Sequence, residues 1–178
     1  MVSKASGHTK SKQKQSALIL KGEAEMNVKD MMTCDPACCT SDTPLPDVAR
    51  LMVERDCGEI PVVENKSSMV PIGVVTDRDI VCRTVANGLN PLDLTAADCM
   101  SKPIVTVKPE MSLEEACRIM EEKLVRRIPV VDDRGACVGI LAVADVALHT
   151  GKNVAGHVVR EVSEPTRSAS AVYGGRLL

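Results

Sequence analysis

The feature that most constrains this chain is a repeat. Residues 30–63 slide onto residues 98–131 at a constant offset. The shift superposes Asp30, Met32, Leu45, Arg50, Met52, Glu54, Ile60, Pro61, Val62 and Val63 on Asp98, Met100, Leu113, Arg118, Met120, Glu122, Ile128, Pro129, Val130 and Val131. After a short insertion in the first copy the match resumes, with Gly73-Val-Val-Thr-Asp-Arg-Asp79 against Gly139-Ile-Leu-Ala-Val-Ala-Asp145. Chance does not hold such a register, so one supersecondary unit is built twice.

Each copy carries the same order of signals. Ser112-Leu-Glu-Glu115 reads as a capping box, and Leu113, Ala116, Cys117, Met120 and Leu124 follow at three- and four-residue spacing, which predicts an amphipathic helix. In the first copy Thr43 is the expected cap, Pro44 the first helical position, and Leu45, Val48, Ala49 and Met52 the apolar stripe. Ile60–Val63 and Ile128–Val131 are short and β-branched, as buried strands are. Polar turns at 64–68 and 132–135 lead into second strands, Ile72–Val75 and Cys137–Leu141, so each pair is a hairpin. A second helix is expected from near Asp77 or Val143, with Gly88 and Gly151 as stop signals.

A unit of roughly 60 residues with one apolar face per element cannot cover its own sheet. The expected fold is therefore α/β of the α+β kind, two pseudo-symmetric β-α-β-β-α repeats packed into one module. Composition shifts divide the chain into a disordered basic tail (1–25), repeat one (26–90), repeat two (91–160) and a flexible C-terminal tail (161–178).

Bulk properties remove several function classes. A formal charge of -2 gives no field to steer the chain toward nucleic acid, and with Tyr173 as the sole aromatic there is no stacking platform for bases. No apolar run approaches the ~20 residues of a membrane span, and the N-terminus lacks a secretory core, so a cytoplasmic protein without membrane contact is expected. The eight cysteines include no C-x-x-C pair, and Cys82, Cys117 and Cys137 fit apolar positions as small hydrophobes. P-loop, G-x-S-x-G and H-E-x-x-H motifs are absent, and no catalysis is expected.

The order Met-Thr or Met-Ser, helix, Ile-Pro-Val-Val, hairpin, then Gly-Val-Val-Thr-Asp-Arg-Asp resembles the cystathionine-beta-synthase (CBS) domain, and its double occurrence resembles the tandem pair called a Bateman module. Residues 28–150 carry the resemblance, which extends to stand-alone bacterial CBS-pair proteins, including the hypoxic response type. It implies a regulatory module that binds an adenosine compound between the repeats and signals to an unidentified protein. AMP, ADP, ATP and S-adenosylmethionine are the expected ligands, and a homodimer is the expected assembly.

Thr76 and Asp79 put a hydroxyl and a carboxylate beside one helix N-terminus, which suits a phosphate and a ribose diol. The same residues also make an ordinary N-cap. By the resemblance, Ile60, Pro61 and Val62 supply an apolar floor for adenine in the first site, as Ile128, Pro129 and Val130 do in the second. The second copy has Ala142 where the first has Thr76 and keeps only Asp145. Arg126 and Arg127 stand where the first copy has Gly58 and Glu59, and guanidinium groups suit phosphate. Cys38 occupies the position of Thr106, which in the family borders the base pocket. That thiol, with Cys34 and Cys39, carries the alternative expectation: a redox- or metal-sensing stress-response module that uses no nucleotide.

Overall fold

The computed structural model describes residues 26–150 and 152–163. The expected tails, 1–25 and most of 161–178, lie outside them, as does Gly151. Elements follow in the order β1 (Thr33–Cys34), β2 (Cys39–Thr40), α1 (Leu45–Glu54), β3 (Glu59–Val63), β4 (Pro71–Thr76), α2 (Asp77–Arg83), α3 (Ala96–Cys99), α4 (Leu113–Lys123), β5 (Arg127–Val131), β6 (Cys137–Ala142), α5 (Val143–His149) and α6 (Lys152–Val162). Among the described residues no helix is long and apolar enough to cross a membrane.

The chain divides into two compact units whose boundaries do not follow the repeats. One unit, residues 27–111 and 127–142, holds both sheets. The first sheet has the order β2-β3-β4 and the second β1-β6-β5. Their hairpins are copies in register: Glu59 faces Thr76 and Ile60 faces Val75, as Arg127 faces Ala142 and Ile128 faces Leu141. Each has its irregularity at the same place, between Val62 and Val63 or between Val130 and Val131.

The segment leading into each repeat pairs with the hairpin of the other. Thr33 pairs with Ile140 in β6, and Ser101 bridges to Val74 in β4. Glycine is required at the crossing, because a Cβ on Gly73 would lie 3.0 Å from Met100 Sδ and 3.0 Å from the Ser101 carbonyl. A Cβ on Gly139 would lie 2.6 Å from Met32 Sδ and 3.1 Å from the Thr33 carbonyl. The duplicated Met-Thr and Met-Ser dipeptides are thus the strands that cross between repeats.

Beside the first sheet, Leu45, Val48 and Met52 of α1 pack with Ile60, Val62, Val75, Cys39, Ala96 and Cys99. Helix α1 starts one residue later than expected, with Pro44 as its cap, and the Thr43 hydroxyl accepts instead from the Thr40 amide at 3.0 Å. The other unit, residues 112–126 and 143–163 of the described chain, is helical. There α4 and α5 both pack on α6, and His157 Nε2 lies 3.7 Å from Glu121 Oε1. Ser112 caps α4 by accepting from the Glu115 amide at 3.2 Å, while the Glu115 carboxylate turns to Arg118 at 3.6 Å. Half of the expected capping box therefore forms.

Candidate functional site

Thr76 ends β4 and caps α2, and the cap is reciprocal. The Asp79 amide donates to Thr76 Oγ1 at 3.0 Å, while the Thr76 amide and hydroxyl donate to Asp79 Oδ2 at 3.0 and 2.7 Å. The other carboxylate oxygen accepts from the Ser101 hydroxyl at 3.1 Å and lies 3.3 Å from Arg83 Nη2. Asp79 is buried, and its oxygens are fully engaged.

Arg83 ties α2 to the segment that leads into repeat two. Its guanidinium donates to the Cys99 carbonyl at 2.9 Å, the Met100 carbonyl at 2.7 Å and the Ser101 hydroxyl at 2.8 Å. Asp79 and Arg83 together hold the strand that leads into repeat two. A ribose diol that engaged the Asp79 carboxylate would have to displace Ser101 or Arg83 from it.

Directly across the hairpin from Thr76 stands Glu59. Alternation puts Ile60 and Val62 on the core face of β3 and leaves Glu59 and Pro61 on the other. Glu59 is only 8% exposed, and its Oε1 is buried with no hydrogen-bond partner. Burial pushes its carboxyl up to about 7; the Arg127 charge offsets part of the effect and the Asp79 charge adds to it. Arg127 is the residue aligned with Glu59 in the other repeat, so equivalent positions carry opposite charges that feel one another. Sequence reasoning passed over Glu59, since a glutamate opening a strand reads as exposed. Its alignment with Arg127 was the available signal.

The structure thus brings Thr76, Asp79, Glu59 and Arg127 into one electrostatic neighbourhood. Ile60 and Val62 are core side chains, so of the expected floor only Pro61 lies on the Glu59 face. Ile128, Pro129 and Val130 are likewise buried in β5. Arg126 is exposed, while Asp145 is half-buried in the first turn of α5, in the helical unit. Ala142 offers that helix no capping hydroxyl.

The three clustered cysteines diverge. Cys34 is exposed; Cys39 packs in the core beside α1, where burial pushes its thiol up to about 11; Cys38 packs with Val63 and Cys137. Among the described residues no three His, Cys, Asp or Glu side chains are placed to hold a metal ion.

Between α1 and α2 runs a groove of about 650 Å³ lined by Ala49, Met52, Val53, Cys57, Ile80 and Val81 among others. Val53 and Val81 are 82% and 56% exposed there. Leu45, Met52, Leu113 and Met120, on the apolar stripes of α1 and α4, are all buried.

Two hairpins in the same register, exchanged lead-in strands and a Thr-x-x-Asp cap define a tandem-repeat module. The CBS domain family matches residues 28–83 and 96–149, and the chain belongs to that family. It is 38% identical over 127 residues, 71% of its length, to the CBS domain-containing protein YhcV of Bacillus subtilis. It is 32% identical over 142 residues, 80% of its length, to hypoxic response protein 1 of Mycobacterium tuberculosis. It spans 87% and 97% of those relatives but 50% of an uncharacterised Methanopyrus kandleri protein, MK0525, to which it is 39% identical over 100 residues. Among solved structures, hypoxic response protein I with two coordinated zinc ions superposes with a TM-score of 0.63 at 33% identity, covering 71% of this chain and 100% of that one. The CBS domain pair of MJ0100, in complex with 5'-methylthioadenosine and S-adenosylmethionine, shares the fold at 20% identity and a TM-score of 0.62, covering 70% of this chain and 95% of that one.

Proposed function

We propose that residues 26–90 and 91–160 form one non-catalytic regulatory module. It binds a single adenosine compound (AMP, ADP, ATP or S-adenosylmethionine) at repeat one and reports occupancy to a partner protein. The observation that carries this reading is the meeting of Thr76, Asp79 and Glu59 at the N-terminus of α2, with the Arg127 charge acting on Glu59 from the other repeat. The bound adenosine compounds of the MJ0100 pair support the ligand class.

The mechanism that goes with this reading is a competition at Asp79. The ribose diol competes with Ser101 and Arg83 for Asp79, Arg127 takes a phosphate or carboxylate, and release of Arg83 frees the carbonyls of Cys99 and Met100. Occupancy of repeat one therefore loosens the strand that opens repeat two, and a coupling of about 1–3 kcal/mol is ordinary for such a switch. A second copy of the chain covers the groove between α1 and α2, giving the homodimer the family resemblance implies.

Calorimetric titration with the four ligands tests the reading. Saturable binding by at least one of them, weakened about tenfold or more in Arg127→Ala, is the expected result. Absence of binding by all four refutes it.

A further inference from the structure

Two buried thiols that serve no part of the adenosine site meet across the repeats. Cys38, just before β2, and Cys137, the first residue of β6, share a small apolar cluster with Val63, against which Met69 packs. They are 6% and 5% exposed and are hydrogen-bond partners of one another, while the Cys38 thiol also reaches the Pro36 carbonyl at 3.5 Å and the Cys137 thiol the Gly139 carbonyl at 3.7 Å. Both are held by backbone: Lys66 Nζ donates to the Cys38 carbonyl at 2.6 Å, and the Cys137 amide donates to the Met69 carbonyl at 2.8 Å. Neighbouring cysteines do not compete, because Cys39 points into the other core cluster and Cys34 is exposed.

The pair is chemically asymmetric. The hydrogen bond with Cys137 holds the Cys38 thiol below its ordinary range; burial opposes this, the Lys66 ammonium adds to it, and the Asp35 charge works against it. That bond, together with burial, pushes Cys137 up. Cys38 is thus the readier of the two to ionise, and Cys137 the one that follows.

We propose that Cys38 and Cys137 form a reversible disulfide that ties the β2-β3-β4 sheet to the β1-β6-β5 sheet. The oxidant is a small hydroperoxide. Cys38 thiolate attacks one peroxide oxygen, an S–O bond forms, the O–O bond breaks and hydroxide or alkoxide leaves. Cys137 then gives up its proton and attacks the sulfenic sulfur, an S–S bond forms and water leaves. Two thiols lose two electrons and two protons, and the peroxide is reduced. A dithiol reverses the reaction by exchange. The positions equivalent to Cys38 and Cys137 in the other copy are Thr106 and Pro71, so the device exists once.

The test uses the full chain, reduced and then exposed to hydrogen peroxide, with free thiols alkylated after unfolding and the protein digested without reduction. The expected result is a linked pair of peptides whose fragmentation places the bond between Cys38 and Cys137. Two fewer alkylated cysteines accompany it, and dithiothreitol restores both. Cys38→Ser and Cys137→Ser should each abolish the link, and the wild-type result stands without them if either variant fails to fold. Full alkylation of Cys38 and Cys137 after oxidation overturns the proposal, as does a link from Cys38 to Cys34, to Cys39 or to a second chain.

Discussion

The two hairpins share a backbone and differ in chemistry. β3-β4 and β5-β6 have the same register, the same irregularity and a glycine at the same crossing point, yet Glu59, Thr76 and Cys38 are answered by Arg127, Ala142 and Thr106. Duplication preserved what the crossing strands need, which is apolar alternation and absence of a Cβ. It did not preserve the side chains on which the proposed ligand and oxidant chemistry rests. A pseudo-symmetric scaffold therefore carries different side chains at equivalent positions, and the proposed one-sided site rests on that difference.

The strongest way to break this comparison is to fill the shared crossing. Gly73→Val and Gly139→Val should each cost about 3 kcal/mol in urea unfolding, since the new side chain meets Met100 and the Ser101 carbonyl or Met32 and the Thr33 carbonyl. A large cost at only one site would show that the crossings are not equivalent.

Next is the buried acid. With the carboxyl raised to about 7 from an unfolded value of 4.5, the native state holds a proton that the unfolded chain has lost between those values. Stability from this group therefore falls as pH rises through that window, by on the order of 3 kcal/mol in total, and stays low above it. Glu59→Gln should stabilise the protein by about 2 kcal/mol at pH 8, with most of the gain gone at pH 5. Arg127→Gln removes the offsetting charge and should act oppositely, costing about 1 kcal/mol at pH 8. Equal effects of Glu59→Gln at the two pH values would show that the carboxyl titrates normally.

The smallest effects sharpen the contrast at the helix starts. Thr76→Ala removes the hydroxyl that caps α2 and should cost about 1 kcal/mol. Ala142→Thr offers α5 a capping hydroxyl and should add about 0.5 kcal/mol. A thermal or denaturant melt of both variants checks the pair.

The hairpins and most helices were legible because the repeat supplied each signal twice: β-branched runs of strand length, apolar stripes at helical spacing and Ser112 at a helix start. Where the signals misled at helix starts, a competing partner three residues away was the cause. Thr43 caps nothing because Thr40 claims its hydroxyl, and Glu115 leaves the capping box for Arg118. Strand β1 is two residues long and exists only through Ile140 and Gly139, so no local pattern announces it. Of the site, Thr76 and Asp79 were legible as a cap, while the Ser101 and Arg83 contacts that occupy Asp79 depend on a strand lying far along the chain. Cys137 was legible as a buried small hydrophobe but not as the neighbour of Cys38, and Glu59 was passed over, for one reason: what lies beside each belongs to the other repeat.

The most direct test of the one-sided site is its stoichiometry. Calorimetry of the wild-type chain with whichever adenosine ligand binds should give one ligand per chain, with binding weakened by Thr76→Ala and unchanged by Asp145→Ala. Two ligands per chain, or binding that is lost in Asp145→Ala and retained in Thr76→Ala, would contradict a site built in repeat one.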